Sequence, residues 1–164
     1  MRQHNRAKGR AARRAAGLVG ALAGALAGAL GLSVAASAAP LCDDLGFAGL
    51  LAKCNRGEPI TLTLASGKPL GEDAVLQSGA YYVINFVADG TAELAITGPE
   101  FFRAIWMNEV VINDIEIRPM AIDSLEFDDE GEARLSFIAI KPGSYELKIP
   151  DSHGDAQKVT ISIQ

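Results

Sequence analysis

The chain has 164 residues, with 15 Lys+Arg against 20 Asp+Glu, two Cys and two His, and 49% of it is hydrophobic. Six of the fifteen basic residues and none of the acids fall in residues 1–38, so residues 39–164 hold nine Lys+Arg against twenty Asp+Glu, a net of −11. That balance excludes a nucleic-acid binder, which needs a basic face. The size of the acidic part bounds it to one domain, and its single His, His153, excludes a multi-histidine metal site.

Residues 1–38 read as a secretory signal peptide. A basic run ending at Arg13-Arg14 leads into an apolar stretch, and Ala36-Ser37-Ala38 supplies the small residues of an A-x-A cleavage site. The alternative is a retained N-terminal membrane anchor, since Gly20, Gly24 and Gly28 have the spacing that lets membrane helices approach closely. Against an anchor, an Ala- and Gly-rich segment is poorly transferred into lipid. Arg13-Arg14 alone matches a twin-arginine signal; its neighbours do not. Export to a bacterial periplasm or exterior is therefore expected, and there Cys42 and Cys54 form a disulfide.

Residues 39–57 read as a short helical segment carrying that disulfide. A continuous helix would hold the two Cα atoms about 18 Å apart, while a disulfide needs them within roughly 7 Å. The chain must double back, at Gly46 or Gly49. A Cys-based metal site lacks both a CxxC spacing and a nearby His.

From residue 58 the pattern turns to period two. Residues 60–64, 81–87, 92–96, 110–117, 124–127, 134–140, 144–149 and 158–163 alternate as strands, punctuated by Gly, Pro and Asp turns. Besides the first segment, only residues 99–107 suit a helical turn. About eight short strands predict an all-β sandwich or barrel over residues 58–164.

Phe137, Pro142, Gly143, Tyr145 and Leu147 stand in a pattern that resembles the penultimate turn of cupredoxins, the blue-copper sandwich family, where it runs F-x-x-x-x-P-G-x-Y-x-F. The segment Gly98-Pro99-Glu100-Phe101-Phe102 before a strand is similar to the family as well. The resemblance implies a Greek-key β-sandwich of the cupredoxin type. It also implies where a type 1 copper site, two His, one Cys thiolate and a weak Met, would lie. The thiolate position, four residues after the Tyr, is Ile149; His153 falls in the loop that follows; the upstream His position lies among Glu100, Phe101 and Phe102. The type 1 ligands are thus missing, and a sandwich core does not depend on them.

Phe101, Phe102, Ile105, Trp106 and Met107 crowd large apolar groups into the segment where a ligand belongs, and as an exposed cluster they would form a protein-docking surface. Copper held weakly by His153, Met107 and Met120 is the alternative use of the remaining soft donors. The acidic turn at Asp128, Asp129, Glu130 and Glu132 fails as a calcium loop, because Phe137 stands where the terminal Glu is required. No G-x-S-x-G, HExxH or phosphate-cradling loop is present. The sequence predicts an exported cupredoxin-like binding or accessory module that is not an enzyme. It needs no cofactor (copper being the alternative) and works through a protein partner in the cell envelope.

Overall fold

The structure, a computed structural model, describes Cys42 and residues 49–164. The expected signal peptide, and the greater part of the helical segment expected between the two Cys, lie outside the described residues. Among the described residues, no helix is long and apolar enough to cross a membrane.

Among the described residues, ten strands make two five-stranded sheets. In chain order they are β1 (Ile60–Leu64), β2 (Ala74–Leu76), β3 (Tyr81–Ala88), β4 (Leu94–Thr97), β5 (Ile105–Ile112), β6 (Ile115–Ile117), β7 (Ser124–Phe127), β8 (Gly131–Ala139), β9 (Gly143–Lys148) and β10 (Lys158–Ile163), with a helical turn α1 (Pro99–Phe102) between β4 and β5. The first sheet runs β1-β3-β8-β5-β6 and the second β2-β10-β9-β4-β7. Two pairs, β1 with β3 and β2 with β10, are parallel. The other neighbours are antiparallel. This is the predicted all-β sandwich, with every consecutive pair of strands except β5–β6 and β9–β10 crossing between the layers.

Strict alternation decides which side chains enter the core. Tyr82, Ile84 and Phe86 on β3 sit opposite Phe137, Leu135 and Ala133 on β8, all buried on the inner face. Phe86 against Ala133 sets a large residue beside a small one, which is how facing positions fill space without voids. Leu147, Val159, Ile161 and Ile163 close the core from the second sheet.

β5 departs from the reading in two ways. It begins at Ile105, within the segment expected to hold a helical turn, and it ends at Ile112 before a two-residue turn at Asn113 and Asp114. Both turn residues have positive φ, 49° and 64°, the backbone that tight hairpin turns demand. The single strand expected over residues 110–117 is therefore a hairpin, β5 with β6. A bulge at Asn108 shifts the register between Met107 and Glu109. The extra residue flips the parity, so Met107 and Val110, three apart, both face inward. The Asn108 amide donates to the hydroxyl of buried Ser136 at 3.0 Å and so satisfies it.

The Cys42–Cys54 disulfide is present, with Cα atoms 5.9 Å apart, so the chain does double back between them. Lys53–Asn55 is a 3-10 turn, where helix was expected. Buried Asn55 donates to Leu50 O (2.9 Å) and Gly79 O (3.0 Å). The Gly57 amide reaches Tyr81 O at 2.9 Å, and the Arg56 guanidinium lies 4.6 Å above the Tyr81 ring. These contacts fasten the segment to the start of β3.

Candidate functional site

The turn carrying the P-G-x-Y pattern is built from its residues upward. Gly143 has φ 156°, and a Cβ there would meet the Tyr145 hydroxyl at 2.8 Å. The Tyr145 hydroxyl donates to Lys141 O at 2.8 Å, closing the turn on itself. The ring lies 6.5 Å from Phe101, which meets Phe137 edge-on at 5.5 Å and Phe102 at 5.6 Å. Three sequence-distant pieces of the pattern thus form one aromatic knot between the sheets.

From this knot the chain passes to Ile149, the position of the thiolate in the resembling family. Its side chain is 6% exposed and belongs to the hydrophobic core. The Ile149 amide donates to Gln157 O, and Ile149 O accepts from the Ser152 hydroxyl at 2.6 Å. His153 follows in the exposed loop. At the upstream position Phe101 and Phe102 are buried, while Glu100 is exposed and lies 3.5 Å from Arg103. An aliphatic core residue and two core aromatics do not fit a copper ion, which needs lone pairs at those points. Among the described residues, no three or more His, Cys, Asp or Glu side chains gather where they could hold a metal ion.

The expected docking cluster does not survive as a surface. Phe101, Phe102 and Met107 are core residues, and Ile105 is partly buried. Only Trp106 is exposed, at 50%. The physical reason is strand geometry: in β5 successive side chains point to opposite faces, so Met107 enters the core opposite Phe137 while Trp106 stands outside opposite Ile138. On the outer face Tyr81, Ile138 and Trp106 form one row across three strands.

Nor are the soft donors of the copper alternative on one element. Met107 is 9% exposed inside β5, Met120 is fully exposed between β6 and β7, and His153 is on the β9–β10 connection. Sequence reasoning overlooked the outer face of the first sheet altogether, because its polar residues come from three strands far apart in the chain.

No family model matches the sequence, and no curated protein matches it. Solved structures do. A multicopper oxidase from Pseudomonas Thermotolerans aligns at 15% identity and a TM-score of 0.48, over 65% of this chain and 29% of that one. A blue copper oxidase from Nitrosomonas europaea aligns at 11% identity and a TM-score of 0.50, over 66% of this chain and 44% of that one. The chain thus matches less than half the length of either. The second likeness establishes the fold: this is a cupredoxin-like β-sandwich.

Proposed function

We propose that the protein is an exported binding or accessory module, a cupredoxin-like sandwich without a blue-copper centre that recognises a protein of the cell envelope. One observation carries the reading: Ile149 occupies the thiolate position and is spent on the core, so the turn contributes packing where a copper protein contributes a ligand. The docking point is Trp106, the one large aromatic of its segment left half in solvent; a Trp with neighbouring apolar area is the residue type that dominates protein interfaces.

Export follows from the leader, and the Cys42–Cys54 disulfide supports it, since such bonds persist in oxidising compartments. Copper handling through His153, Met107 and Met120 is the weaker reading, because Met107 is packed in the core.

Two measurements test the proposal. Titrating the full chain with Cu(II) should give no intense visible thiolate-to-copper band; such a band overturns the reading. A photo-crosslinking residue at 106, expressed in the cells that make the protein, should yield one discrete envelope-protein adduct. The same probe at exposed Val75, in the second sheet, should not.

A further inference from the structure

The outer face of the first sheet carries a cleft of about 520 Å³ at the end away from Trp106, lined by Asn85, Arg134, Val111, Glu132, Asn113 and Asp114. Trp106 pairs with Ile138, and Arg134 lies four residues further along β8, about 13 Å away at the rise of a strand. The cleft is therefore separate from the docking point proposed above.

Its residues are set side by side by register. Arg134 on β8 is flanked by Asn85 on β3 and Val111 on β5, and Glu132 comes two residues before it on the same face. The positive-φ turn of Asn113 and Asp114 closes one end. Among the described residues, none of these five polar side chains makes a hydrogen bond or ion pair with the protein, whereas Arg103, Arg118, Lys68 and Lys158 all do. Even with two carboxylates lining its cleft, Arg134 lies within 4.0 Å of neither. The three strands that present Asn85, Val111, Glu132 and Arg134 are the centre of the sheet, so these groups stand on a rigid platform.

Their chemistry selects a ligand. Arg134 offers only donors, Glu132 and Asp114 only acceptors, and Asn85 and Asn113 offer both. An anion would be repelled by two carboxylates within residues 39–164, which carry a net of −11; a cation would meet the guanidinium. What fits is a neutral molecule dense in groups that both donate and accept, with a C–H face to lie on Val111. We propose that this cleft is a second recognition site, for a sugar unit of a neutral oligosaccharide.

Calorimetric titration of the full chain with malto-, cello- and chito-hexaose tests this, with polygalacturonate and CaCl2 as charged comparisons. One or more of the neutral hexaoses should bind. Arg134→Ala and Asn85→Ala should each weaken that binding about tenfold or more, with Trp106→Ala leaving it unchanged. Should Arg134→Ala disturb the fold, Arg134→Lys keeps the charge but loses the planar fork, and it too should weaken binding. The proposal is overturned if no neutral hexaose binds at about 5 mM. It is equally overturned if these substitutions leave affinity intact, or if Ca²⁺ or polygalacturonate occupies the cleft in preference. Crosslinking at position 106 is unaffected by any of these outcomes, so the two sites fail or stand separately.

Discussion

Phe101 and Trp106 are five positions apart and read alike in sequence, yet the structure gives them opposite work. Phe101 is fully buried at the centre of the aromatic knot with Phe137, Tyr145 and Phe102. Phe101→Ala should lower unfolding free energy by about 3–5 kcal/mol, the range for removing a buried aromatic. Trp106→Ala should cost less than about 1 kcal/mol, because half of the side chain is already in water. Urea denaturation of both variants checks the contrast, and equal losses would mean that Trp106 is also core. Asp89 makes a second residue-scale prediction. The hydrogen bond from the Lys68 ammonium (2.8 Å), with help from Thr91, holds its carboxyl at about 2, below the usual 3.8. A depressed folded pKa contributes stability above the ordinary value and loses it as pH falls toward the folded value. The Asp89→Asn variant should therefore show a flatter acid limb between about pH 4 and pH 2 than the parent, read as urea midpoint against pH. The effect should be small, since the pair is at the surface.

At the scale of elements, the strands with unbroken alternation were legible: β1 and β10 match the expected ranges, and β3, β8 and β9 match within a few residues. β2 was not, because three residues (Ala74, Val75, Leu76) are too few to show a period. β5 was misread because the bulge at Asn108 breaks its alternation in mid-strand, so that no single period describes it. That bulge is the element on which the next prediction rests. Deleting Asn108 would leave Met107 and Val110 two apart, so both would still face inward on a regular strand, and what is lost is the Asn108 amide that satisfies the Ser136 hydroxyl. The deletion variant should keep cooperative unfolding and lose about 1–3 kcal/mol, the cost of leaving the buried Ser136 hydroxyl without its partner; loss of cooperative unfolding in a melting curve would show that β5 needs the bulge itself to pair with β8. The missing thiolate was legible too, because it needs only a count from Tyr145 to Ile149. The cleft at Asn85 and Arg134 was not, since only the pairing of β3 with β8 brings residues 49 positions apart to one spot.

For the whole molecule, the N-terminal segment is the piece whose attachment differs in kind from the rest. It is closed on itself by Cys42–Cys54 and tied to β3 through Asn55, Arg56 and Gly57. Because those ties engage the sheet directly, the disulfide should act on the stability of the whole sandwich. The Cys42→Ser/Cys54→Ser double variant should lose up to about 3 kcal/mol, the chain-entropy value for a loop of this size. Hydrogen exchange should quicken first at the Gly57 amide. A global stability equal to the parent's would mean that the segment unfolds by itself, leaving the sandwich intact.

The two parallel pairings carry a consequence for the order in which the protein can come into being. Among the described residues, β1 has only β3 as its neighbour in the first sheet, and β2 has only β10 in the second, so that Ala74 waits for Ile161. Synthesis, N-terminus first, delivers β2 long before the strand that will hold it. In the second sheet β4, β7 and β9 can pair with one another as they emerge, but β2 joins them only when residues 158–163 arrive. Until then β2 offers unpaired backbone to any passing strand, and the time spent in that state is a window for aggregation or for a chaperone, set by the speed of synthesis.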